Sequence, residues 1–153
     1  MTTGSDLALA LRAAYLALHR RSEAAFAPSG VTADQFVLLA TLARGGDALN
    51  QRELADRMSS DPSTVRAMLV LLEQRGLVER QGHPTDARAR TVTLTAAGKK
   101  KFRQLWTAGE SIRRELLGAL TPDEVDTAVR LLARVADALA PELAAVGPSP
   151  PGG

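Results

Sequence analysis

Apolar residues recur three and four positions apart through most of the chain, the spacing that lines them along one face of an α-helix. The first stripe, Leu7, Leu11, Ala14, Tyr15, Leu18, Ala25 and Phe26, predicts a helix over about 5–27 that stops before "PSG". A second helix is expected over 33–44, ending at Gly45 and Gly46. A third over 51–58 turns Leu54, Ala55 and Met58 inward. The fourth, 62–75, does the same with Val65, Met68, Leu69 and Leu72 and ends at Gly76. A long fifth helix over 96–117 precedes a sixth over 122–140, which carries Val125, Ala128, Val129, Leu132, Val135, Ala136 and Leu139 on one face. Only "LVERQ" (77–81) and "ARTVTL" (89–94) break this rhythm. Each is short, the second alternates with a period of two, and a loop opening on Gly82 and Pro84 joins them, so a β-hairpin is predicted.

Three helix starts are written into the chain. Thr32 with Gln35, Asn50 with Glu53, and Thr121 with Glu124 each set a capping side chain three residues before one that reaches back. Val31 with Phe36, Leu49 with Leu54, and Leu120 with Val125 supply the apolar pair that staples each start. Asp61 or Ser60 caps the fourth helix with Pro62 in its first turn, and Pro122 sits at the first position of the sixth.

Composition narrows the class. The 153 residues are 45% hydrophobic and 24% charged, which suits one globular domain. That domain is expected over 1–146, ahead of a disordered tail, "GPSPPGG", at 147–153. With three Phe, one Trp and one Tyr, the core must be built from Leu, Ala and Val. There is no cysteine, so disulfides and thiolate chemistry are excluded. No apolar run reaches the roughly 18 residues of a membrane span, and no basic start precedes an apolar leader, so a cytoplasmic location without membrane contact is expected. The charge is unevenly spread. From Arg44 to Lys101 eleven basic residues face seven acidic ones, a local balance of +4 in a chain of formal charge +2. A basic middle points to an anionic partner.

Two short helices joined by "SSD", the first with the small Ala55 on its inner side, match a helix-turn-helix pair. In such a pair the second helix must present small polar or basic side chains near its N-terminal turns, which enter the major groove and reach base edges. Ser63, Thr64 and Arg66 form that outward set, with Ala67 and Val70 beside them. A strand pair directly after a helix-turn-helix makes a winged helix. Its hairpin would lie over phosphates, where Arg88 and Arg90 could enter the narrow minor groove and Asp86, two residues from Arg88, could hold that guanidinium in one pose. Other classes fare worse. The chain has no glycine-rich phosphate loop, no nucleophile elbow and no paired-histidine motif, so no catalytic residues are assigned. No metal site or cofactor is expected either, since Asp123, Glu124 and Asp126 read as acids of a helix's first turn.

In order and spacing, "LNQRELADRM", "STVRAMLVLLEQRGLVER" and "PTDARARTVTLTAAG" resemble the third helix, recognition helix and wing of the MarR family of winged-helix regulators. The family's wing signature is met by Asp86, Arg88, Leu94, Thr95 and Gly98. Ala87 stands where a second arginine is frequent, and His83 where an Asp commonly precedes the proline. The resemblance implies a mainly α fold with a small β-hairpin wing, a DNA-binding lobe over 32–95 and dimerisation helices over 5–31 and 96–140. It implies a homodimer on double-stranded DNA, a pseudo-palindromic operator and repression. It also implies a small aromatic or phenolic effector between dimer helices and DNA-binding lobes, where Tyr15, His19, Phe36 and Trp106 fall. Arg52, Arg57, Arg75 and Lys99 are candidate phosphate contacts, with Lys100 and Lys101 beside them. The alternative is a helical dimer acting as a protein-interaction module without specific DNA binding, a reading that rests on Ala87.

Overall fold

A computed structural model describes residues 1–46, 48–82 and 90–140. The elements follow in the order α1 (Gly4–Phe26), a 3₁₀ turn (Ala27–Ser29), α2 (Ala33–Arg44), β1 (Leu49–Asn50), α3 (Gln51–Met58), α4 (Pro62–Gln74), β2 (Val78–Gln81), β3 (Thr91–Leu94), α5 (Ala96–Ala108), α6 (Glu110–Gly118) and α7 (Pro122–Leu139). The chain divides into two contact units, Met1–Ile112 and Arg113–Gly153, and the division falls inside α6.

All three expected capping boxes are present. Thr32, Asn50 and Thr121 each accept from the backbone N–H three residues on, while Gln35, Glu53 and Glu124 accept from the cap's own N–H. A fourth, Thr3 with Asp6, starts α1 and was not anticipated. For α4 the cap is Asp61, which accepts from the N–H groups of Ser63 and Thr64.

One expectation is corrected. The fifth helix is not continuous over 96–117: Gly109 interrupts it, dividing α5 from α6. Gly109 still donates to the Leu105 carbonyl at 3.0 Å, so the break is a local turn at glycine, a residue poorly suited to a helix interior. Most of the apolar stripe of α1 is left uncovered by the chain itself. Phe26 is its only buried member, and Leu7, Tyr15 and Leu18 are exposed.

The core of the first unit gathers Leu38, Leu39, Leu54, Val65, Leu69, Leu72, Val78 and Leu105 from α2, α3, α4, β2 and α5. Over it lies a three-stranded antiparallel sheet in the order β1-β3-β2. Val78 pairs with Leu94 and Arg80 with Val92, while Leu49 of β1 meets Val92 from the other side. The hairpin expected at 77–94 is thus present at its base, widened by a short strand just before α3. The expected tip, 83–89, and the tail lie outside the described residues.

The second unit is described through Ala140. None of α7 is buried: Val125, Ala128 and Val135 are half-buried, and Val129, Leu132 and Leu139 are exposed.

Candidate nucleic-acid interface

The turn between α3 and α4 is set by Ser59, which holds φ 52 and ψ 40, the left-handed conformation that closes a helix. Ser59 donates to the Asp56 carbonyl at 3.1 Å and Ser60 to the Ala55 carbonyl at 3.0 Å. Ala55 is fully buried here and leaves room for α4 to pack. Asp61 then starts α4 by accepting from Ser63 N–H at 3.1 Å and Thr64 N–H at 3.3 Å. The Ser63 hydroxyl also donates to this carboxylate. The Ser63 hydroxyl, then the Thr64 N–H, hold Asp61 below the usual carboxylate range.

With Val65, Met68, Leu69 and Leu72 buried, α4 turns Ser63, Thr64, Arg66 and Ala67 outward, all exposed. Val70 continues that row and is 43% exposed. The four residues read as base-contacting from the sequence therefore share one accessible face with a fifth.

The wing is fixed at its root by Thr95 and Gly98. The Thr95 hydroxyl donates to the Gly76 carbonyl at 2.6 Å and accepts from Gly98 N–H at 3.0 Å, and Thr95 N–H donates to the Leu77 carbonyl at 3.1 Å. A Cβ on Gly98 would stand 1.9 Å from the Leu77 oxygen, so only glycine lets α5 start this close to the end of α4. Arg80 of β2 pairs with Glu73 of α4 at 3.1 Å, a further link between wing and recognition helix. Arg90 is exposed at the hairpin base, its Nε 3.9 Å from where a Cβ on Gly82 would lie. Asp86 and Arg88 lie outside the described residues.

The four phosphate candidates differ in placement. Arg52, in the first turn of α3, and Arg57, in its last, are exposed. Lys99 is exposed on α5 and lines a groove with Leu42, Val92, Leu94, Phe102 and Arg103. Arg75 is engaged within the fold. Its guanidinium donates to the Gly30 carbonyl at 2.6 Å and reaches the Ser29 carbonyl at 3.5 Å. It ties the end of α4 to the turn between α1 and α2, which spacing along the chain gave no means to foresee.

The effector candidates form two groups. Tyr15 and His19 stack on α1 with ring centroids 5.6 Å apart, and His19 Nε2 lies 4.0 Å from Glu23, whose carboxylate accepts from Ala33 N–H at the start of α2. Phe36 and Trp106 belong to a separate row, Phe26–Phe36–Phe102–Trp106, with centroid spacings of 4.5, 6.0 and 6.0 Å. Phe102, the link in that row, was not singled out in the sequence. Of the four candidates Trp106 lines a groove, a cavity of about 440 Å³ shared with Ala43, Arg44, Phe102, Arg103 and Thr107.

A sequence model of the MarR family matches residues 29–89, the stretch from the α1–α2 turn into the wing. The HTH-type transcriptional repressor MdtR of Bacillus subtilis is 32% identical over 134 residues, 88% of this chain and 86% of that protein. The chain belongs to the MarR family. Among solved structures, a MarR mutant from Escherichia coli complexed with operator DNA superposes with a TM-score of 0.74 at 31% identity, covering 84% of this chain and 92% of that one. BpsR of Bordetella bronchiseptica, whose DNA binding is regulated by 6-hydroxynicotinic acid, gives 0.76 at 30% identity over 86% and 98%. This MarR-family chain is therefore a transcriptional regulator with a winged helix-turn-helix fold, and not an enzyme. Among the described residues no helix is long and apolar enough to cross a membrane.

Proposed function

We propose that the protein is a homodimeric, sequence-selective repressor that binds double-stranded DNA through α4 and the wing and is released by a small aromatic effector. The observation that carries this reading is the outward row of α4, capped by Asp61 and held against the wing root through Thr95, Gly98 and the Arg80–Glu73 pair. Ser63, Thr64, Arg66 and Ala67 meet base edges. Arg52, Arg57 and Lys99 meet phosphates, and Asp86, Arg88 and Arg90 serve the wing. The MarR complex with operator DNA and the control of BpsR by 6-hydroxynicotinic acid support the two halves of the proposal.

Dimerisation is supported by the apolar faces that α1 and α7 leave exposed within one chain. Such faces need a cover, and a second copy supplies one by symmetry. Two recognition helices then favour half-sites about one turn of DNA apart. For the effector we propose the Tyr15–His19 pair and the Phe36–Trp106 row, which offer stacking surfaces and, at His19, a polar group.

The test is a fluorescence-anisotropy titration of the purified protein against its own upstream DNA and a scrambled duplex, at two salt concentrations. Tight binding to the first alone at near-physiological salt is expected. Weak, equal binding that added salt abolishes would sink the proposal and favour a protein-interaction role for the dimer.

A further inference from the structure

The middle of the DNA-facing side of α4 is apolar. Residues on an α-helix advance about 100° per position. Against the buried line through Val65, Met68, Leu69 and Leu72, the directly opposite line is Ser63, Ala67, Val70 and Gln74. Arg66 and Thr64 lie to either flank of it. The single charged side chain that could fork onto a guanine is therefore off-centre, and the middle of that line, between Ser63 and Gln74, holds a methyl and an isopropyl group. Val70, a β-branched apolar side chain, is 43% exposed.

Resting on the DNA-binding reading above, we infer that Val70, with Ala67 beside it, reads thymine methyl groups in the major groove, giving the half-site an A·T pair at its centre. The thymine 5-methyl is the one apolar feature an unmodified base edge shows there. The same two side chains against a G·C pair would cover the guanine acceptors or the cytosine amino group without pairing them, which costs affinity. Discrimination thus comes from attraction to thymine and from stranded polar groups on the alternative. Ser63 is consistent with this. Its hydroxyl proton is already engaged by the Asp61 carboxylate, so its oxygen faces the groove as an acceptor. An acceptor takes an amino group, of adenine or cytosine, and not the guanine N7 and O6 edge.

The experiment selects binding sequences for the full chain from a pool of random duplexes, then replaces each thymidine of the enriched half-site by deoxyuridine, which removes only the methyl. At the thymine under Val70 the replacement is expected to weaken binding about fourfold, the weight of one buried methyl. In the Val70→Ala variant, thymidine and deoxyuridine should bind alike at that position. Val70 is surface-exposed and alanine favours helix, so this variant folds as the parent does. A half-site that tolerates deoxyuridine throughout, or a penalty that persists unchanged in Val70→Ala, overturns the inference alone. A pool that yields no enriched sequence overturns it together with the sequence-selective reading on which it rests.

Discussion

At the scale of single residues, two backbone positions carry the winged helix-turn-helix. Gly98 allows α5 to begin against the Leu77 carbonyl, where a Cβ would stand at 1.9 Å. Gly98→Ala must therefore push helix and strand apart, and is expected to destabilise the protein by about 2 kcal/mol, the range of an overpacked core. Ser59 sits at the opposite extreme. Its left-handed conformation is strained for any residue with a Cβ, and glycine would relieve it. Ser59→Gly is expected to raise stability by about 0.5–1 kcal/mol in denaturant titrations, with unchanged DNA affinity. A destabilised variant would show that the Ser59 side chain contributes more than its backbone strain costs.

At the scale of elements, the start of α4 depends on one ionised carboxylate. Asp61 is held below the usual carboxylate range by the Ser63 hydroxyl and the Thr64 N–H. Its folded-state value lies below its unfolded one, so the stabilisation it gives is complete above the unfolded value and is lost as pH falls through the folded one. Acidification below about pH 4 is then expected to release amide protection at Ser63 and Thr64 before Leu69 and Leu72, read by hydrogen exchange. Simultaneous loss at all four sites would contradict this. Glu124 and Asp6 are shifted in the same direction by Thr121 and Thr3, so α7 and α1 should fray at their starts over the same range.

Much at this scale was legible in the sequence, because caps and apolar periodicity are local. Thr32, Asn50 and Thr121 announce their helices within four residues, and the Val65–Leu72 stripe locates the face that α4 buries. The break at Gly109 was not legible, since one glycine inside a strongly periodic helix is usually tolerated. Strand β1 escaped because two residues, Leu49 and Asn50, carry no alternation, and their pairing with Thr91 and Val92 is long-range. The same limit hid the use of Arg75. Its partners, Ser29 and Gly30, are more than forty positions away. The stacking of Phe102 on Trp106, four positions on in the same helix, is local, but its contact with Phe36 crosses from α5 to α2 and leaves no mark in spacing.

At the scale of the whole molecule, exposed apolar surface asks for a partner. Leu132 is 50% and Leu139 79% exposed on α7, and α1 leaves Leu9 and Tyr15 to solvent. Leu132→Glu is expected to weaken self-association at least roughly tenfold in sedimentation equilibrium while leaving helix content unchanged, as for a charge placed in an apolar interface. An unchanged association constant would remove α7 from the proposed dimer interface.

The central claim is that α4 reads sequence while the surrounding cations hold phosphate, and one salt titration separates the two roles. The affinities of the wild type, Arg66→Ala and Arg57→Ala for an enriched duplex and a scrambled one are measured as a function of salt concentration. The account predicts that Arg66→Ala narrows the ratio between the two duplexes by about tenfold. Arg57→Ala should weaken both duplexes alike and reduce the slope of log affinity against log salt by about one. Equal effects of the two substitutions on the ratio would contradict the assignment of α4 as the reading helix.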